Sequence, residues 1–95
     1  MLEIKQNNTE TKGEFLAFMD GKQAGLMTYS WAGSDKFIID HTEVEPDYNG
    51  KGVGKEMVYK AVEFAREKNL KIIPLCPFAK AMFQKNEEIR DVLWL

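Results

Sequence analysis

Apolar and polar positions alternate with a period of two through the first half of the chain, which predicts β-strands. Leu2 to Gln6 reads as a first strand and Asn7 to Gly13 as a polar turn. Glu14 to Asp20 has apolar side chains on both faces, which is typical of a strand inside a sheet. Gln23 to Trp31 and Phe37 to Val44 complete an antiparallel meander, in which Asp20-Gly21 favours the central hairpin turn.

The apolar spacing changes to three and four residues after position 50, which predicts a helix from Lys51 to Lys68. Asn69 suits the left-handed conformation that ends many helices. Lys71 to Cys76 reads as a short strand. Pro77 can open a second helix that continues to Glu88, and Asp91 to Leu95 predicts a last strand.

The predicted order is therefore β-β-β-β-α-β-α-β. The strands on either side of the long helix form a βαβ unit and should be parallel. These features predict an α/β (α+β) fold, in which an antiparallel meander and the βαβ unit share one mixed sheet with helices packed on it.

The composition excludes several classes of protein for this chain. The 95 residues suffice for one domain, expected to span 1–95. The net charge of −2 gives no electrostatic footprint for nucleic acid, and no apolar run can cross a bilayer. The N-terminal residues show no signal pattern, and the single cysteine cannot form an internal disulfide. The cytoplasm is the expected compartment.

Glycines at positions 50, 52 and 54 lie between the last strand of the meander and the long helix. Glycine lets the backbone approach a ligand, and a new helix offers free N–H groups to an anion. A Walker A loop fails, because Glu56 follows Gly54-Lys55 and Asn49 occupies the position of the first glycine. A dinucleotide fingerprint fails, because it needs glycine at position 55. A plain turn without a ligand is the remaining alternative.

The stretch Val44-x-Pro46-x-x-Asn49-x-x-Gly52-x-Gly54 resembles the acyl-CoA-binding signature of the GNAT N-acetyltransferase superfamily. Asn49 stands where that family usually has Gln or Arg. Between residues 13 and 88 the predicted elements also follow the family's order. The short chain, His41 before the signature and Cys76 after the fifth strand resemble a minimal GNAT-like subfamily of about this size.

The resemblance implies acetyl-CoA as the cofactor, with an unknown amine, a small molecule or a protein, as acceptor. Its diphosphate would lie on the N–H groups between Asn49 and Lys55. Its pantetheine arm would pair with the backbone of Thr42 and Val44. The implied loop residues are Asn49, Gly50, Lys51, Gly52, Val53, Gly54 and Lys55.

His41, the only histidine, would then lie near the thioester, and a histidine can act as a base near neutral pH. Its alternative role is that of a half-buried sheet residue. Glu43 shares the strand face of His41 and is either a second candidate base or a solvated carboxylate. Cys76 is the predicted N-cap of the second helix, where a thiolate is stabilised, so it could relay the acetyl group. A small buried core residue is the equal alternative.

Two family features are missing from the sequence. The second helix contains no tyrosine, which larger members often use as the general acid, and no helices fit between the first two strands. We therefore predict an N-acetyltransferase and keep an acetyl-CoA-binding sensor or partner subunit as the alternative. The acceptor and the oligomeric state are not predicted.

Overall fold

A computed structural model of the chain describes residues 1–94. Its centre is a five-stranded sheet whose strands lie in sequence order. The strands are β1 (Leu2–Asn8), β2 (Lys12–Met19), β3 (Lys22–Trp31), β4 (Lys36–Val44) and β5 (Lys71–Pro74). Neighbours from β1 to β4 are antiparallel, whereas β4 and β5 are parallel. The predicted meander, βαβ unit and α+β class are confirmed.

Two helices follow the predicted positions with shorter bounds, α1 at Val53–Lys68 and α2 at Pro77–Lys85. The first helix begins two residues later than predicted, because its N-cap Gly52 is left-handed at φ 79°. Asn69 is left-handed after α1, as predicted, at φ 57°. The second helix ends before the predicted Glu88, because the backbone leaves the helical region at Asn86, with φ −122° and ψ 92°.

The prediction of a last strand at Asp91 to Leu95 was wrong for most of its length. A 3-10 helix covers Glu87–Val92, and Leu93 makes a single parallel bridge to Ile72. The apolar pattern of this segment is satisfied by helical burial of Ile89 and Val92 in the core. Leu95 lies outside the described residues. The predicted turn at Asn7 to Gly13 is also shorter, since β1 and β2 extend into it.

The core lies on one face of the sheet, under both helices. Buried strand residues of that face pack against buried residues of α1 and α2. They include Phe15, Ala17, Met27, Tyr29, Phe37, Ile39 and Ile72. The strand residues of the other surface, which we call the open face, are half-buried or exposed. They include Glu14, Leu16, Thr28, Ser30 and His41.

The ion pair between Arg66 and Asp91 ties α1 to the C-terminal 3-10 helix, with Nε and Nη2 donating over 2.9 and 2.7 Å. These hydrogen bonds lower the pKa of Asp91. A carboxyl with a lowered folded pKa stabilises the fold above its unfolded pKa near 4 and loses that contribution as pH falls through the folded value.

We expect Asp91→Asn to lower the free energy of unfolding at neutral pH by at most about 1 kcal/mol, since the pair is exposed. The difference from the wild type should begin to shrink as the pH falls below about 4 and vanish once the pH lies below the lowered pKa of the folded state. Urea unfolding of both proteins across this range measures it. A difference that stays constant at low pH would contradict the assignment to this ion pair.

Candidate functional site

A glycine turn joins the 3-10 turn at Pro46–Tyr48 to the start of α1. Gly50 and Gly52 both have φ of 79°, a conformation that other residues rarely adopt. A Cβ atom at either position would meet no atom within 4 Å. The backbone conformation therefore strongly favours glycine here, and the space beside the turn is open.

The first intrahelical hydrogen bond of α1 runs from the amide of Glu56 to the carbonyl of Gly52 over 3.0 Å. The preceding amides at residues 53–55 have no acceptor within the helix and carry the positive end of its dipole. Within the turn, the amides of Asn49 and Lys51 donate to the carbonyls of Pro46 and Tyr48, both over 3.3 Å. The donors that remain for an anion are thus the glycine amides and the first turn of α1.

Phe78, in the first turn of α2, lies against the first turn of α1. A Cβ atom on Gly54 would come within 2.7 Å of the Phe78 ring, so any larger residue there would displace that ring. Phe78 nevertheless stays 41% exposed, and Leu75, three residues earlier in the chain, is 65% exposed. The two helix starts therefore meet beside an accessible apolar surface.

The strands β4 and β5 separate after the pair Ile39↔Pro74. The amides of Leu75 and Cys76 both donate to the carbonyl of Ile39 over 3.1 Å, and the chain then turns into α2. The remainder of β4 continues to Val44 beside β3 alone. One edge of β4 is therefore free of β5 in this part.

The backbone of Thr42 and Val44 is directed to this free edge. The amide of Glu45 donates to the carbonyl of Ala24 in β3, and strand residues direct their polar groups to alternate sides. Residues 41 and 43 therefore bond towards β3, and residues 42 and 44 towards the edge. A Cβ on Gly25, the partner of Val44, would lie 3.0 Å from Val53 of α1, so the free edge and the glycine turn are neighbours.

A β-bulge at Asp40 interrupts the alternation of side chains along β4. The register shifts between Thr28↔His41 and Tyr29↔Ile39, which leaves Asp40 without a partner. Ile39 before the bulge and Thr42 after it both face the helices. His41 and Glu43 therefore lie on the open face, where their side chains approach to 3.5 Å between Nε2 and Oε2.

Cys76 is the N-cap of α2, as predicted, and its Sγ accepts from the amide of Ala79 over 3.4 Å. The Oγ1 of Thr42 lies 3.2 Å from the same sulfur. The Cys76 residue is only 5% exposed and belongs to the core. Because of the bulge, Cys76 and His41 lie on opposite faces of the sheet, on either side of the free edge.

Sequence reasoning missed two residues of this arrangement, Asp40 and Leu75, and the contact of the Thr42 hydroxyl with Cys76. No residue type marks the bulge in the sequence. The exposed Leu75 between Pro74 and Cys76 resembled an ordinary strand residue. No helix of residues 1–94 is long and apolar enough to span a membrane. That part of the chain also holds no group of three or more His, Cys, Asp or Glu residues suited to a metal.

Comparison with known proteins gives consistent matches. A family model described as GCN5-related N-acetyltransferase matches residues 14–92. A GCN5-like protein from Staphylococcus aureus, solved by NMR, is 39% identical, with a TM-score of 0.73 over 97% of this chain and 87% of that one. The human protein NATD1 is 24% identical over 84 residues, which cover 87% of this chain and 74% of NATD1.

More distant structures share the fold. A ribosomal-protein-alanine N-acetyltransferase from Brucella melitensis is 16% identical, with a TM-score of 0.71 over 94% of this chain and 90% of that one. A protein from Bacillus anthracis was solved in complex with acetyl coenzyme A. It is 20% identical, with a TM-score of 0.64 over 86% of this chain and 49% of its own.

Proposed function

Because the chain belongs to the GCN5-related N-acetyltransferase family, we propose that it binds acetyl-CoA and transfers the acetyl group to an amine. The observation that carries this proposal is the juxtaposition of the open glycine turn and the free edge of β4. A diphosphate needs backbone donors at a helix start, and an amide-bearing arm needs a strand edge. Both lie next to each other on this side of the fold.

The residues present fit this cofactor. The amides of Gly50 and Gly52 and of the first turn of α1 would hold the diphosphate, with Lys51 and Lys55 adding positive charge. Open space beside both left-handed glycines leaves room for the phosphate oxygens. The backbone of Thr42 and Val44 would pair with the arm. The exposed ring of Phe78 would pack along it.

The bound cofactor supplies an acetyl thioester, and His41 would act on the acceptor. An ammonium group must lose a proton before its nitrogen can attack, and an imidazole on the open face can take that proton. Glu43, 3.5 Å away, would stabilise the protonated imidazole. The neutral nitrogen could then accept the acetyl group, and coenzyme A would leave as the thiol with a proton from that nitrogen.

The role of Cys76 depends on whether the cofactor reaches a sulfur that is 5% exposed. Its position at the start of α2, with the amide of Ala79 directed at the sulfur, suits a thiolate that accepts the acetyl group. Its burial and its contact with Thr42 suit a packing role on the helix side of the free edge. An unpaired cysteine fits a reducing, cytoplasmic compartment.

The second candidate function is that of an acetyl-CoA-binding module without transfer. It is favoured by one observation, that α2 carries no tyrosine to protonate the departing thiolate. Both candidates share the cofactor site, so cofactor binding alone does not distinguish them. Transfer to an acceptor does.

We expect the protein, incubated with acetyl-CoA carrying a labelled acetyl group, to transfer the label to members of a panel of amines. Peptide mass spectrometry of the same sample reports whether Cys76 carries acetyl. In a relay, Cys76→Ala should abolish transfer, whereas a packing role predicts that Cys76→Ser retains most of it. Cofactor binding without any transfer would refute the enzyme and support the binding module. Absence of cofactor binding by calorimetry would refute both.

A further inference from the structure

The open face contains a cleft of about 710 Å³ next to His41. The cleft lies over the strands β1 to β4, and most of its lining residues have polar or charged side chains. Three of the lining residues are charged, namely Lys12, Glu14 and Asp40. The other lining residues are Asn7, Thr9, Gly13, Thr28, Tyr29 and Ser30.

A row of side chains crosses this cleft at one level of the sheet. The register pairs Asn7 with Glu14, Glu14 with Thr28, and Thr28 with His41. Residues paired in this way share a face, and the hydrogen bond from Asn7 to Glu14, over 3.1 Å, agrees with that. Since strands lie about 4.8 Å apart, the Cα atoms of Glu14 and His41 are about 10 Å apart.

Two carboxylates face the cleft from different strands, and each is held by one neutral donor. The amide of Asn7 donates to Glu14, and the hydroxyl of Ser30 donates to Asp40 over 2.5 Å. Lys12 is the only cation among the lining residues. Both carboxylates keep further acceptor positions for a cationic ligand.

We propose that this cleft binds the acceptor and that the acceptor is a diamine or polyamine. The inference rests on the proposed function, in which His41 takes a proton from the reacting amine. A second amino group, still protonated, would then lie against Glu14 on the same row, while Asp40 lines the same cleft. An acceptor that approaches from the open face stays on the side of β4 opposite Cys76. A monoamine would reach His41 and leave the carboxylates unpaired.

The test measures acceptor binding without acetyl-CoA, so that it does not depend on the transfer reaction. The probes are 1,4-diaminobutane and butylamine, which have the same carbon chain and differ by one amino group. Backbone amide shifts in NMR titrations report the site and the affinity. Glu14→Gln keeps an acceptor for Asn7 and removes the charge. Glu3→Gln is the matched control, since Glu3 is an exposed open-face residue that does not line the cleft.

We expect the diamine to shift the amides of Glu14, Thr28 and His41 and to bind at least about five times more tightly than butylamine. Glu14→Gln should weaken diamine binding about three- to fivefold, the size of one partly exposed ion pair, and leave butylamine binding unchanged. Glu3→Gln should change neither.

Equal affinities for the two amines, or diamine binding that Glu14→Gln does not change, would overturn the inference. So would shifts outside the cleft or no binding at all. None of these results would contradict the proposals of cofactor binding and of transfer to other amines. A protein that binds the diamine through Glu14 and transfers no acetyl group refutes the enzyme while the binding site stands.

Discussion

Gly52→Glu should weaken acetyl-CoA binding by at least about 100-fold, because a carboxylate at this position would repel the diphosphate in the open space beside the turn. A Cβ atom at Gly52 would meet no atom within 4 Å, so the added side chain starts in open space beside the turn. The substitution also forces a non-glycine residue to a φ of 79°, which costs about 1–2 kcal/mol of stability. Isothermal titration calorimetry with acetyl-CoA measures the effect on binding.

The matched control for this strain is Gly21→Glu. Gly21 lies in the turn between β2 and β3 and has a φ of 85°, and a Cβ atom there would likewise meet no atom within 4 Å. Both variants should therefore lose similar stability in thermal unfolding, and only Gly52→Glu should lose the cofactor. If both bind acetyl-CoA as tightly as the wild type, the glycine turn is not the diphosphate site.

His41→Ala should lower the rate of acetyl transfer by about 100- to 10,000-fold, the usual contribution of a general base. The His41 side chain is 59% exposed on the open face, so its removal should leave the free energy of unfolding almost unchanged. The affinity for acetyl-CoA should also persist, because the proposed cofactor contacts lie at the free edge and the glycine turn. Steady-state kinetics together with calorimetry separate the two quantities.

Two further measurements distinguish a base from a residue that only shapes the site. Added imidazole should restore part of the activity of His41→Ala, because it can take the proton in place of the missing side chain. Glu43→Gln should cause a smaller loss than His41→Ala, because Glu43 acts on the imidazole and not on the acceptor. A His41→Ala enzyme with the wild-type rate would show that His41 is not the base and would leave Glu43 as the candidate.

The secondary structure could be predicted from the sequence wherever periodicity and end signals agreed. Pro77 marked the first residue of α2, and Asn69 marked the left-handed end of α1. The prediction failed in the C-terminal segment, where a short apolar run fits a strand and a 3-10 helix equally well. Burial of Ile89 and Val92 against the helices decided between them. That burial depends on tertiary contacts, which a local pattern does not contain.

For the candidate site, too, some features could be predicted from the sequence and others only from the tertiary structure. The spacing of the glycines predicted an open turn before a helix, because positive φ and free amides are local properties of a chain. The sequence also showed that His41 and Glu43 share a face. It could not show which face, since the bulge at Asp40 reverses the alternation through its pairing with β3.

The sequence by itself thus determined the order of the elements from β1 to α2, the glycine turn before α1 and the residues able to carry chemistry, because these follow from local conformation and residue type. The tertiary structure alone decided that Cys76 and His41 lie on opposite sides of the free edge. It also decided that Glu14 stands on the same row as His41, two strands away. Such relations arise from register and strand separation, and hydrogen bonds between distant segments set both.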